Sequence, residues 1–392
     1  MILFDSFNKK EKMFLESMQC AHNDSLEALV LEDIPFLPSN VFSIYDYYLN
    51  EWDPHTTFKN IYYAFIDTPN FWKIIPQAER GAIYDKHEKK ANIFVQSPVD
   101  KRLVEHVEWI KNNQVYRKDY YDRYGKVYKQ EHLDENNKLL ETCYITSTKK
   151  EIIKINHSNG IVGVLQKNNL MKYYHSKEDW FKDYLTKLCS SFENVVVTSN
   201  LQKEMLQSIS YKDWSVLETK IDSLCYVSKD TIQKINDKKS TNNIFILTTS
   251  DQLEGIEEIV DALPRCNFHI GASTAFSNKI IELGKKENVH LYSTIQSHKI
   301  NELFDLCPIY LDINKAHSYP NSVEAAALNG LIILGFEDTV RKTQYLLENY
   351  ILPKRNISAM ISKLQFMTSS RNDQIKIALI QRDQQLASFK EL

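Results

Sequence analysis

The stretch NKAHSYPNSVEAAALNG, residues 314–330, lies between two short apolar runs, IYLDIN and LIILGF, and holds side chains that could do chemistry. His317 is its only candidate general acid or base. Glu324 opens a helical pattern, where the helix dipole favours a carboxylate with or without a ligand. His269 and His290 stand at or near the ends of two other apolar runs, where ligands gather on parallel sheets. No carboxylate falls at a recognisable orienting spacing, so these histidines read as solvated or capping rings rather than as catalytic ones. Other chemistries find less support. No GxSxG elbow follows a strand. The six cysteines are scattered singly, without metal-ligand spacing, and read as reduced thiols. Nine glycines in 392 residues leave little material for a loop of backbone NH groups around phosphate. No metal and no cofactor are expected.

The elements that must position these residues follow a repeating pattern from about residue 242. IFILTT, FHIGAS, VHLYST, IYLDIN and LIILGF each lead into an amphipathic segment, the last into TQYLLENYIL. Short Ile- and Leu-rich runs alternating with helices predict a parallel sheet covered on both faces, a Rossmann-like domain. Residues 56 to 165 read instead as antiparallel β-structure, from NIYYAFI and FWKII through EIIKINH, with ENN, HSNG and RYG as turns. EDWFKDYLTKLCSSF and ENVVVTS then return to helix and buried strand. The expected organisation is a first Rossmann-like domain of residues 1–50 and 170–230, an antiparallel β-domain of residues 51–169 inserted into it, a second Rossmann-like domain of residues 231–370, and a C-terminal helix over 371–392. The polar segment 228–243 reads as a linker, and a cleft between the two α/β domains would be a common place for a ligand.

The residues at the strand ends resemble a known family and depart from it. The C-terminal half is similar to the nucleotide-binding domain of retaining GT-B glycosyltransferases, whose first strand there ends in Gly-Arg and, a few residues on, Lys-Gly, two cations that hold a diphosphate. The matching stretch here is TTSDQLEG, with Thr249 in place of the arginine and Glu254 in place of the lysine. Each charge-assisted phosphate contact is worth about 1.5–3 kcal/mol, and Glu254 replaces attraction by repulsion. The resemblance also implies two glutamates eight positions apart; Glu324 matches the ribose-side one, while the sugar-side position is Ala316. These four residues, Thr249, Glu254, Ala316 and Glu324, are read as a vestigial nucleotide-sugar site without catalytic residues.

FLPSNVFSIYDYY, NIYYAFIDTPNFWKI, RLVEHVEWI and DYYDRYGKVY narrow the resemblance to the accessory-Sec glycosylation proteins of Gram-positive bacteria, and within them to the stabilising, non-catalytic GtfB family. That resemblance implies a GT-B-like α/β fold and a chaperone-like subunit. It would stabilise a homologous catalytic glycosyltransferase and bind the acceptor, a serine-rich repeat adhesin modified with N-acetylglucosamine. It also admits peripheral attachment to the cytoplasmic face of the membrane through the complex.

Composition agrees with an intracellular setting: the opening apolar run is too short for a signal peptide, and no stretch approaches a spanning helix. A net charge of −3 without a basic stripe argues against nucleic acid. Trp52, Tyr62, Tyr63, Trp72, Trp109, Tyr120, Tyr121 and Tyr124 are candidates for gripping a partner or peptide, because strand side chains alternate and all of them cannot face one core. Packing of the insert against the first α/β domain is the competing explanation. Two other functions remain open at this level: an active retaining transferase using a UDP-sugar, and a peptide-binding chaperone without a transferase partner.

Overall fold

The opening residues ILF form the central strand of a parallel sheet in the computed structural model, which describes all residues except 23–25, 35–36, 54–60, 78–79, 97–101, 123, 189–193, 208–214, 219–225, 239–241, 317–318 and 391–392. Contacts divide the chain into two units, Met1–Asn8 with Leu26–Lys220, and Lys9–Ser25 with Ile221–Leu392. The chain begins with β1 (Ile2–Phe4), α1 (Lys9–His22), β2 (Ala28–Val30), β3 (Val41–Ser43) and α2 (Ile44–Trp52). Ser43 caps α2 reciprocally with Asp46, satisfying two backbone donors at the helix start.

Ten antiparallel strands follow: β4 (Lys73–Pro76), β5 (Arg80–Asp85), β6 (Glu88–Val95), β7 (Val104–Lys111), β8 (Gln114–Tyr121), β9 (Val127–Leu133), β10 (Leu139–Ile145), β11 (Glu151–Asn156), β12 (Val162–Leu165) and β13 (Met171–Tyr174). They form a continuous meander, each strand paired with the next. Then α3 (Lys177–Leu188), β14 (Asn194–Val197), α4 (Asn200–Gln207) and β15 (Ser215–Glu218) complete the first parallel sheet in the order β15-β14-β1-β2-β3. The insert shares a core with that sheet. Leu3, Leu29, Tyr45, Tyr144, Ile153, Trp180 and Val195 belong to one buried cluster, with the rings of Tyr45 and Tyr144 stacked at 4.5 Å. One segment read as strand differs: within NIYYAFI, Tyr63–Phe65 form a single 3-10 turn, and Tyr63 packs closely against Gly81. Its aromatic residues suit a strand locally, but of these only Tyr63 is buried, over β5, while Tyr62 and Phe65 are exposed.

The second unit runs α5 (Lys229–Asp237), β16 (Asn243–Thr248), α6 (Ile256–Ala262), β17 (Asn267–Ala272), α7 (Asn278–Leu283), β18 (Val289–Tyr292), α8 (Ser297–Leu306), β19 (Ile309–Asp312), α9 (Ser322–Leu328), β20 (Ile332–Phe336), β21 (Ile351–Leu352), α10 (Ile357–Ser369) and α11 (Arg371–Lys390). All six strands are parallel, in the order β18-β17-β16-β19-β20-β21. Strand alternation sends Ile244, Ile246, Leu311 and Leu334 to one core and Phe245, Leu247, Tyr310 and Ile333 to the other, as a sheet covered on both faces requires.

Three expectations are corrected here. The segment 228–243 is not a linker throughout: Ser228 and Thr231 form a capping box that starts α5, Ile235 enters the core, and Lys238 donates to the Phe304 carbonyl at 2.5 Å. Its polarity reflects a narrow apolar stripe. TQYLLENYIL forms two 3-10 turns and β21 in place of a helix, because Pro353 favours an extended residue before it and Ile351–Leu352 pair with β20. Residues Lys9–Ser25, read with the first Rossmann-like domain, group with the second unit: the Phe14 ring lies 5.6 Å from Phe389 of α11, and Ser17 Oγ accepts from the Val227 amide at 2.9 Å.

Helix α11 closes the second unit through polar groups. The two-residue β21 leaves Ile333 of β20 without a strand on that side, though β19 flanks it on the other, and the Gln381 amide supplies both a donor and an acceptor there. Arg382, fully buried, donates to the carbonyls of Ala327, in the last turn of α9, and Leu331, the residue before β20. Arg382→Leu is expected to destabilise the chain by about 2–4 kcal/mol, since these carbonyls lose charged donors. A melting temperature equal to that of the unaltered chain would show that water replaces the guanidinium at no cost.

His269 of β17 makes a second prediction. It is buried, with Nδ1 3.1 Å from the Tyr292 hydroxyl and its ring stacked 4.9 Å from His290. Burial, reinforced by His290 and Lys299, pushes its pKa down to about 4. Between that value and the usual imidazole value near 6.5, the unfolded chain binds the proton and the folded chain does not, so stability present above about pH 6.5 is lost as pH falls toward 4. Denaturant unfolding from pH 7 to 4.5 should therefore show an acid loss about 2 kcal/mol larger in the unaltered chain than in His269→Phe. Parallel curves for the two would refute it.

Candidate functional site

The C-terminal edge of the second unit's sheet is where an α/β domain of this kind places a ligand, at the point where the strand order reverses. That reversal falls between β16 and β19. The loops leaving these two strands are sewn together by backbone: Glu254 N donates to Ile313 O at 2.9 Å, Lys315 N to Gln252 O at 2.9 Å, and Leu253 bridges Asn314. Asn314 Nδ2 adds a bond to Leu247 O at 2.9 Å. Gly255 then starts α6 at φ 64, a left-handed conformation that glycine adopts freely, and a Cβ there would meet Ile357 at 2.6 Å.

Of the four residues read as a vestigial donor site, Thr249 directly follows β16 and is half-buried. Glu254 is buried, and its Oε2 lies 2.5 Å from Lys315 Nζ. The contact is an ion pair without a well-aligned hydrogen bond at that oxygen, so charge neutralisation holds it. Ala316 presents its carbonyl to Arg341. Glu324 lies in the first turn of α9, as the helix dipole favours, and its Oε1 is 2.5 Å from Lys342 Nζ. Both acids are thus engaged by lysines of the chain itself. Lys315, Arg341 and Lys342 were missed in the sequence because each pairing joins segments far apart in the chain. The one available signal was that a buried acid needs a cation.

The three histidines do not come together as a site. His269 and His290 stack within the sheet, and His317 falls outside the described residues. Among the described residues, no group of His, Cys, Asp or Glu could hold a metal ion.

The aromatic candidates of the first unit divide between core and surface. Tyr63, Trp109 and Tyr121 are buried in one cluster with Ile83, Ile93 and Val107. Trp52 packs against the core shared with the parallel sheet, and Lys150 Nζ sits 3.8 Å from its ring centre. Tyr120 donates to Glu131 at 2.9 Å, Trp72 is half-buried, Tyr124 sits in the turn after β8, and Tyr62 is exposed. Alternation does place them on two faces: Trp109 and Tyr121 on one, Tyr120 on the other.

Beside Trp109 and Tyr121 lies a hollow of about 390 Å³ that the sequence reading did not anticipate, bordered also by Phe65, Arg117, Asp119, Lys126, Gln130 and Ser147. Its floor is organised by buried Asp119, which accepts from Trp109 Nε1 at 2.5 Å, Arg117 Nη2 at 3.0 Å and Gln130 Nε2 at 2.8 Å. Three side chains thus converge on one carboxylate.

Comparison with known proteins agrees with this architecture. Residues 244–381 match the GftB/GlyA-F C-terminal domain, and residues 72–175 match the GtfB middle domain. A Streptococcus agalactiae protein, the UDP-N-acetylglucosamine--peptide N-acetylglucosaminyltransferase stabilizing protein GtfB, is 26% identical over 94% of this chain and 93% of its own length. Its Streptococcus pneumoniae counterpart is 24% identical over 96% and 94%. A chain in the crystal structure of the GtfA/B complex bound to UDP and GlcNAc superposes with a TM-score of 0.54 and 22% identity, covering all of this chain and 98% of that one. The fold class is therefore GT-B-like α/β, as expected, with an antiparallel sheet added. With the middle and C-terminal domains matched in order and relatives aligned over nearly their whole length, the chain belongs to the GtfB family.

Proposed function

We propose that this chain is the non-catalytic subunit of a protein O-GlcNAc transferase complex, that it stabilises a homologous catalytic glycosyltransferase, and that it binds the serine-rich repeat adhesin polypeptide to be modified. The observation that carries the reading is Glu254. Where the resemblance calls for a cation facing a diphosphate, a buried carboxylate stands, neutralised by Lys315. A second support is Ala316, which offers no carboxylate to a transferred sugar. The relatives, which align over almost all of this chain, are named as stabilizing proteins of a peptide N-acetylglucosaminyltransferase.

A serine-rich repeat is flexible and offers little apolar area, so each repeat binds weakly and affinity grows with the number of repeats engaged. The complex works in the cytoplasm in this reading, with any membrane attachment made peripherally through the assembly. Among the described residues, no helix is long and apolar enough to cross a membrane.

The test is to purify the chain alone, its homologous transferase alone, and the two co-expressed, and to follow UDP-GlcNAc turnover with a Ser/Thr-rich repeat acceptor. The chain alone should transfer no sugar; the pair should co-purify, and soluble yield and transfer by the transferase should rise about tenfold or more, as expected when binding draws on a folded partner. Turnover by the chain alone would overturn the reading in favour of an active retaining transferase. Failure to co-purify would favour a peptide chaperone without a transferase partner.

A further inference from the structure

Three cations stand on two neighbouring segments at the C-terminal edge of the second unit's sheet. Lys315 follows β19, and Arg341 and Lys342 follow β20. Arg341 donates to the Ala316 carbonyl, which sets the two segments side by side. Each lysine already has an anion from its own chain, Glu254 for Lys315 and Glu324 for Lys342, both at 2.5 Å. The two pairs differ in depth. The Glu254 side chain is 8% exposed against 41% for Lys315, so the acid lies behind and the amine in front. Glu324 and Lys342, at 32% and 38%, sit nearer the surface. A phosphate approaching this edge meets amines already neutralised by carboxylates of the chain, from behind at Lys315 and from beside at Lys342.

We infer that Glu254 and Glu324 act as built-in counter-anions, which close this edge to phosphate-bearing ligands, and that the rim of Lys315, Arg341 and Lys342 behind which they stand is a latent diphosphate site. This rests on the reading of the chain as non-catalytic; in that reading the counter-anions keep this edge from competing with the transferase for its UDP-sugar. The ion pairs thus set specificity as well as loop geometry.

The experiment is calorimetric titration of inorganic pyrophosphate and of UDP into the full chain at low salt, for the unaltered protein, Glu324→Gln, and Glu254→Gln with Glu324→Gln. The unaltered chain should show no saturable binding. The double variant should bind pyrophosphate about tenfold or more tightly than the unaltered chain, and the gain should fall with added salt. Adding Lys315→Gln and Lys342→Gln should erase it. Glu324→Gln alters a half-exposed residue and keeps the test available if the buried substitution impairs folding; it should give a smaller gain erased by Lys342→Gln. UDP binding tighter than pyrophosphate would place the nucleoside on the same edge, and equal binding would assign the gain to charge alone; either supports the inference. Folded variants that bind pyrophosphate no more tightly than the unaltered chain overturn it, as does a gain that survives removal of the lysines. Co-purification of the unaltered chain with its transferase tests the parent reading separately.

Discussion

The second unit depends on a constraint at the edge of its sheet: β21 is two residues long, so the backbone of β20 must find hydrogen bonds elsewhere. Gln381 supplies them at Ile333, and Arg382, one residue on, takes the carbonyls at the end of α9. A single turn of α11 therefore fixes both the outer strand and the helix that begins beside Glu324. From that fixed helix follow the Glu324–Lys342 contact, the Arg341 contact to Ala316 and, through the loop after β19, the Glu254–Lys315 pair. The polar interior of α11 explains its shape as a helix: Gln374, Gln381, Arg382 and Gln385 are all buried, so an apolar stripe was never needed along its whole length.

Much of this architecture was legible in the sequence. Each Ile- and Leu-rich run from residue 243 onward became a parallel strand, because such a run is stable only when buried on both faces. The antiparallel insert was legible for the opposite reason, alternation between turn signals. What escaped were elements whose stability comes from distant partners. Helix α5 has a weak apolar pattern, yet Thr231 bonds the Leu328 carbonyl and Ile235 packs against Gly330. Helix α1 reads as an ordinary amphipathic segment after β1, and only its contacts with α11 and Val227 reveal its unit.

The candidate site was legible at its missing charges and silent about its present ones. The substitution of Thr249 and Glu254 for cations could be read from spacing, since it concerns residue types in one short stretch. The lysines that answer the two acids lie 61 and 18 positions away from them in the chain, and only folding brings them together. The aromatic residues of the insert were harder still. Burial of Trp109 and Tyr121 depends on which face of each strand has a neighbour, which periodicity alone leaves open, and Tyr62 and Tyr63 part company because their segment turns where a strand was read.

That choice of face changes along the ten-stranded sheet. At β5 to β8 the buried side carries Ile83, Ile93, Val107, Trp109 and Tyr121; at β10 to β12 the opposite side carries Tyr144, Ile153 and Val164. The register proves the switch, because Ile93 lines up through Val107, Asp119 and Gln130 with Cys143, while Tyr120 lines up through Lys129 with Tyr144. Strands β8 and β9 are where one core hands over to the other, and the Asp119 cluster sits on that seam. A slip of one residue between them would bring both apolar sets onto the same face, so that one of the two cores loses its packing. The two halves are thus tied through one seam: a misaligned pairing can bury one apolar set only by exposing the other.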